Sequence, residues 1–348
     1  MPRVVGIDPG TVSIDVCGLE RGHVVLDRTW PTAEVTADPE AFARELKSHG
    51  TPDFVVGPSG YGLPLVRAAE VSEHDLRLAF LAPAGETGGI GGLRALARAL
   101  AANGLPMWLV PGVVHLDTVP PHRKVNRVDL GTADKLCAAA LGIYDQSQRL
   151  GCRPSETAFI MLELGGAFSA AVAVQDGMII DGIGGTSGPI GWQAAGALDA
   201  EVAFLAGEVT KSMVFHGGVT TVADANRDTP SVAFDAFLEG AVKAVRALQV
   251  SAPLAGEVLV SGRLGTDPAV RERLAQGLRD LGPVRALTGF AKHAKQGAQG
   301  AALIADGLAG GGQRELVDTL RIREASGTVL DHLYVITPRD AKRRLGLH

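Results

Sequence analysis

The chain has 348 residues, 46% of them hydrophobic but only 5% aromatic, and carries a formal net charge of −5. That length suits two domains with cores built mostly from Ala, Val and Leu. The acidic balance lacks any basic tract and excludes a surface for nucleic-acid backbones, so no nucleic-acid partner is expected. Cys17, Cys137 and Cys152 are widely spaced and form neither a metal spacing nor a disulfide framework. The N-terminus begins at once with a charged strand, and no apolar run nears the ~20 residues that span a bilayer. A cytoplasmic protein without a membrane partner is therefore expected.

In chain order, residues 3–8, 13–19 and 23–30 read as three strands, with turns at Pro9-Gly10 and Arg21-Gly22. Residues 39–49 read as a helix, and 53–57 as a short strand ending in a Gly-Pro-Ser-Gly turn. A helix over 89–103 places Leu93, Leu96, Ala97 and Leu100 on one face. A strand over 107–111 precedes a long helix over 131–149. The strand pattern then restarts: 157–164, 168–174 and 178–183 form a second run of three strands, followed by a glycine-rich loop over 182–191. Further on come a helix over 231–250, a strand over 257–261 and a helix over 268–281. A helix over 291–308 has Ala294, Ala298, Ala301 and Ala305 on one stripe. The charged tail reads as a strand over 329–336 and a solvated helix. Three units follow from this pattern: residues 1–154, residues 155–312, and a tail, 313–348, packing back on both. A repeated three-stranded meander followed by helices is the layout of a duplicated, ribonuclease-H-like α/β fold. Its ligand site lies in the cleft between the copies.

Each half opens with the same kind of turn. Val4-Val5-Gly6-Ile7-Asp8-Pro9-Gly10-Thr11-Val12-Ser13 and Ile160-Met161-Leu162-Glu163-Leu164-Gly165-Gly166-Ala167-Phe168-Ser169 both run from an apolar strand through a carboxylate to glycine and a hydroxyl. Glycine lets backbone N–H groups approach an anion with no Cβ in the way. The hydroxyl can donate to phosphate, and the carboxylate can hold Mg²⁺ directly or through water. Asp8 and Glu163 are thus candidate metal ligands. Gly10, Thr11, Ser13, Gly165, Gly166 and Ser169 are candidates to line the phosphates.

These residues resemble the acetate/sugar kinase and actin-like ATPase superfamily. Asp8-Pro9-Gly10-Thr11 is similar to its first phosphate motif and Glu163-Leu164-Gly165-Gly166 to its second. Val258-Leu259-Val260-Ser261-Gly262-Arg263 resembles the adenosine motif. Within the superfamily the chain most resembles the family labelled predicted butyrate kinases, through Pro120-Pro121-His122-Arg123-Lys124, Gly131-Thr132-Ala133-Asp134-Lys135 and Gly196-Ala197-Leu198-Asp199. The resemblance implies two actin-like ATPase domains, ATP and Mg²⁺ as cofactors, and a small-molecule phosphoryl acceptor. It places Ser261, Gly262 and Arg263 at the nucleoside. The chain departs from the pattern at Glu163, where many members have Asp, and at Val12, where Ser or Thr is frequent. Oligomeric state stays open; relatives are often homodimers, and the apolar 194–206 stretch offers a face for one.

Other residues carry competing readings. Asp8 before Pro-Gly also fits a turn aspartate capping its own loop. Glu163, between two leucines on an apolar strand, is costly without a partner. Asp134 is either a first-turn acid complementing the helix dipole or, by the resemblance to type III pantothenate kinases, a general base. Arg123 and Lys124 are candidates to hold the transferring phosphoryl group or an acceptor carboxylate, or else a solvated pair. Asp15 shares a sheet face with Ser13 and either reaches the metal or is solvated. Gly184 and Gly185, with Thr186 and Ser187, are candidates for phosphate or acceptor contacts. The leading expectation is a kinase of a short carboxylic acid, giving an acyl phosphate. The alternatives are a kinase of an alcohol, with Asp134 as base, and a nucleotide-dependent switch without a small-molecule acceptor.

Overall fold

The computed structural model describes residues 2–10, 12–83, 90–225 and 231–347. Strands β1 (Arg3–Pro9), β2 (Ser13–Glu20) and β3 (His23–Pro31) form an antiparallel meander. Helices α1 (Thr32–Ala37) and α2 (Pro39–Ser48) follow, then β4 (Phe54–Pro58), β5 (Val66–Arg67), α3 (Glu73–Phe80), α4 (Ile90–Ala102) and β6 (Met107–Val110). After the short α5 (Pro121–Lys124), the long α6 (Ala133–Leu150) leads to a second meander: β7 (Phe159–Leu164), β8 (Ser169–Gln175) and β9 (Met178–Ile183). The remaining elements are α7 (Ala200–Ala206), α8 (Val219–Ala225), α9 (Ser231–Gln249), β10 (Val258–Ser261), α10 (Pro268–Gly277), β11 (Val284–Ala286), α11 (Gln296–Leu308), α12 (Arg314–Leu320) and α13 (Pro338–Arg344).

Among the described residues the strands make two sheets, of order β3-β2-β1-β4-β6-β5 and β11-β10-β7-β8-β9. In each, the opening strand of the meander pairs in parallel with a later strand: β1 with β4, and β7 with β10. Side chains alternate between two cores, as the period of a strand requires. On β1 and β2, Val5 and Val16 join a core with Phe42, Leu46 and Leu100, whereas Val4 and Cys17 face the molecular centre. On β7, Ile160 and Leu162 pack with Phe237 and Leu274, whereas Phe159 and Met161 face the same centre. That centre holds α6 and α11, so the layers run helices, sheet, central helix pair, sheet, helices.

Small residues make the central layer possible. A methyl on Gly6 would strike the α11 backbone at Ala298 and Ala302, and one on Gly300 would strike the Cys137 carbonyl of α6. Strand, helix and helix therefore cross almost backbone to backbone. Every residue from Gly297 to Gly307 is buried, so the stripe read on 291–308 is a helix covered all round. It also starts later than read, at Gln296. Helix α11 falls within the span read as the second unit, yet it packs on β1, β2 and β4 of the first sheet.

The tail packs on both halves: α12 lies against β9 and α6, with Thr319 beside Gly177, and further contacts reach the first half. Arg321 pairs with Asp117, Ser326 N–H donates to the His115 carbonyl, and Arg77 donates to the Leu345 carbonyl. The strand read over 329–336 does not form. The N–H groups of Tyr334 and Val335 go instead to Asn126 Oδ1, at 2.7 and 3.1 Å. Helix α7 leaves Phe204 and Leu205 about as exposed as a surface residue can be, at 78% and 80%. On the α4 face, Leu96, Ala97 and Leu100 are buried as read, while Leu93 lies outside the described side chains. No described helix is long and apolar enough to cross a membrane.

Candidate active site

The two glycine turns meet over the N-terminus of α6. The first is closed by Gly10 N–H donating to the Ser13 carbonyl at 2.9 Å. Its carbonyls at Gly10 and Val12 are tied to the Thr32 hydroxyl and N–H. The second is closed by Gly165 N–H donating to the Phe168 carbonyl at 3.0 Å, while the space beside Gly166 is open. Thr11 lies outside the described residues.

Asp8 projects from the end of β1 against Gly297; a methyl on Gly297 would sit 2.5 Å from Asp8 Oδ2. Its carboxylate makes no hydrogen bond or ion pair among the described residues. Burial, and then the charge of Asp134, push its pKa up from 3.8 to about 7, against the pull of Lys295 and Lys135. Asp134, in the first turn of α6, is held differently. Burial acts to raise it, but Lys135 Nζ at 2.5 Å and the Thr132 hydroxyl bring it below the ordinary carboxylate range.

Lys135 is the centre of this group. Its ammonium bridges Asp134 Oδ2 and, at 2.9 Å, Glu163 Oε1 from the second sheet. Burial alone would lower its pKa; the two carboxylates raise it well above the usual lysine value. This corrects the reading of Glu163 as a metal ligand on a par with Asp8, because Lys135 already compensates its charge. The partner that an apolar strand demands for Glu163 is thus a lysine on α6.

A second lysine stands over the first turn. Lys295 Nζ lies 3.0 Å from Asp15 Oδ2 and 2.5 Å from Ser13 Oγ. Asp15 is 1% exposed and also accepts from the Thr29 hydroxyl at 2.8 Å. It therefore anchors Lys295 and is neither solvated nor a free metal ligand. Ser13 donates its only hydroxyl proton to Asp15 at 2.9 Å, which leaves none for a phosphate. Ser169 is likewise used: it is buried and donates to the Ile190 carbonyl at 3.2 Å.

On one flank of β7, the turn after β10 packs on the second glycine turn. Gly262 has φ +80, and a methyl there would sit 2.5 Å from the Leu164 carbonyl oxygen. Ser261 Oγ is buried without a partner among the described residues, and Arg263 is exposed. Beyond β8, on the other flank, the Gly184–Ser187 loop is held by Asp129. One carboxylate oxygen accepts Thr186 N–H and hydroxyl, both at 2.9 Å, and the other accepts Gly131 N–H at 3.1 Å. A methyl on Gly184 would strike that carboxylate, and one on Gly185 would lie 2.6 Å from Phe168 Cβ.

Arg123 and Lys124 are not brought into this cluster. Arg123 donates to the Ile180 carbonyl at 2.8 Å and lies 3.7 Å from Asp181, along the edge strand β9. Lys124 is buried and donates to the Leu116 carbonyl at 2.7 Å; burial holds its pKa down. Both roles are structural, which corrects their reading as phosphoryl-binding groups. Sequence reasoning missed Lys135, Lys295 and Asp129. Lys135 had a signal, since it directly follows Asp134; the other two had none.

This two-sheet α/β fold, with its helix pair between the sheets, is shared with solved acetate and propionate kinases. The propionate kinase from Francisella tularensis superposes with a TM-score of 0.59 at 14% identity, covering 86% of this chain and 99% of that chain. Acetate kinase from Entamoeba histolytica gives a TM-score of 0.58 at 14% identity, covering 80% of this chain and 87% of that one. Acetate kinase from Porphyromonas gingivalis gives 0.56 at 14% identity, with 81% and 88% covered. At such identity the likeness establishes a common fold. No curated protein matches the chain in sequence. The chain belongs to the DUF1464 family, described as a protein of unknown function, whose profile spans residues 6–335.

Proposed function

We propose that the chain is an ATP- and Mg²⁺-dependent small-molecule kinase, butyrate-kinase-like in acting on a short carboxylic acid to give an acyl phosphate. The observation that carries the reading is Asp8, a carboxylate without a partner among the described residues, set against Asp134 where the two glycine turns come together. An oxygen donor set with surplus negative charge suits a hard divalent cation. Among the described residues no cluster of three or more His, Cys, Asp or Glu is ready to enclose a metal. Asp8 would therefore hold Mg²⁺ together with phosphate oxygens, as Mg²⁺ is usually held. Bound there, the ion supplies charge neutralisation for the transferring phosphoryl group.

The chain's own groups do the rest. Gly166, with open space beside it, offers backbone to the phosphates, and the Ser261–Arg263 turn receives the nucleoside. The loop at Gly184–Ser187, across β7 from that turn, is the acceptor side. A carboxylate oxygen of the acceptor forms the new P–O bond as the bond to the ADP oxygen breaks, and no proton moves. That chemistry fits Asp134, which Lys135 and Thr132 hold ionised and weakly basic. An acid is already ionised at pH 7 and needs no base, whereas an alcohol acceptor would need a better one.

The test is ATP turnover with Mg²⁺ and hydroxylamine over a panel of short acids, butyrate-sized ones first, and polyols. Hydroxamate and ADP formed together with one acid is the expected result. ADP formed only with a polyol would replace this reading by the alcohol kinase. ATP–Mg²⁺ stabilisation with no active acceptor would favour the switch, and no stabilisation by ATP–Mg²⁺ would overturn the nucleotide reading altogether.

A further inference from the structure

Lys295 is 282 positions from Ser13 in the chain, yet its side chain stands on the first glycine turn. The segment that delivers it is clamped at four successive backbone N–H groups. Lys292, His293 and Ala294 donate to the Asp27 carboxylate at 2.7, 3.1 and 2.7 Å, and Lys295 donates to Asp15 Oδ1 at 3.4 Å. Two acids of the first sheet thus fix this loop. One of them, Asp15, also takes the Lys295 ammonium.

We propose that Lys295 is a catalytic residue whose ammonium grips the terminal phosphate oxygens of the bound nucleotide, an inference that rests on the nucleotide reading above. A lysine ammonium has three N–H donors. Asp15 and Ser13 take two of them. The side chain nonetheless stays 50% exposed, and Nζ lies 3.4 Å from where a Cβ on Gly10 would be, against the turn itself. The third donor has no further partner among the described residues and stands beside the first glycine turn. Charge points the same way. Asp8, Asp15, Asp134 and Glu163 surround this space, and Lys135 is already shared between two of them. An incoming polyphosphate needs a cation with a donor to spare, and Lys295 meets that need by a charge-assisted hydrogen bond.

The competing role is structural: Lys295 would simply neutralise the buried Asp15. Titrating adenosine, ADP and ATP, with Mg²⁺, into the full-length wild type, Lys295→Met and Lys295→Arg separates the two. The expected result is unchanged adenosine affinity and ATP binding weaker by about ten- to a hundredfold in Lys295→Met, with most of the loss restored in Lys295→Arg. An ATP-to-adenosine affinity ratio equal to wild type would overturn the proposal and leave the nucleotide reading standing. A wild type that binds no ATP would overturn both. If Lys295→Met fails to fold, reductive methylation of the wild type followed by mass spectrometry decides the matter. ATP should slow methylation at Lys295 and adenosine should not; equal protection by both would refute the contact.

Discussion

Replacing Asp8 by Asn should stabilise the protein at neutral pH while removing its Mg²⁺-dependent response to ATP. The carboxyl's pKa rises from 3.8 to about 7 on folding, through burial and then the Asp134 charge. Well below pH 3.8 the group is protonated in both the folded and unfolded chain, so it makes no difference to stability. As pH rises from 4 to 7 the unfolded chain releases the proton first, and the folded state loses stability steadily. At about 1.4 kcal/mol per tenfold change in proton affinity, the loss at pH 8 is on the order of 4 kcal/mol. For a chain of 348 residues that corresponds to about 5 °C in melting temperature. The Asn variant has no such proton to lose. Melting curves of both proteins from pH 3 to pH 8 should approach one another at the acid end and diverge steadily, with the variant higher. Added Mg²⁺–ATP should then raise the wild type and leave the variant where it was. Parallel curves, or a wild type more stable at pH 8, would refute the picture of an unpartnered carboxylate.

Two further outcomes are expected. Lys135→Met leaves Asp134 and Glu163 without their shared cation and should cost about 3–5 kcal/mol; adding Glu163→Gln should recover part of it, and no recovery in the double variant's urea midpoint would argue against the bridge. Gly300→Ala, which drives a methyl into the Cys137 carbonyl, should unfold the protein or cost several kcal/mol, whereas Gly166→Ala, with open space beside it, should change stability by less than about 0.5 kcal/mol; equal melting of the two would refute the close helix crossing.

Most elements were legible because their signals are local. Alternating apolar residues bounded by Pro-Gly and Arg-Gly turns mark β1 to β3, and the same pattern marks β7 to β9. The small pieces were not: β5, with two residues, and α7, with seven, carry too few residues to show a period. The strand expected over 329–336 failed for a different reason. Its residues have strand propensity, but the N–H groups of Tyr334 and Val335 find Asn126, about two hundred residues earlier, in place of a strand partner.

The sequence by itself determined where the chain turns and which turns are rich in glycine. Both follow from residues adjacent in the chain: glycines, the carboxylates of Asp8 and Glu163, and the apolar runs before them. It could not determine charge partners. Glu163 looked like a ligand until α6 brought Lys135 to it, and Arg123 looked like a phosphate grip until β9 claimed it. Ser13 and Ser169 looked like donors until Asp15 and Ile190 took their protons. Lys295 had no feature to set it apart until the last segment folded back over the first sheet. Ion pairs and hydrogen bonds act over a few ångströms of space with no regard for distance along the chain, so only the tertiary structure decides which charged groups are spent on the fold and which remain for a ligand.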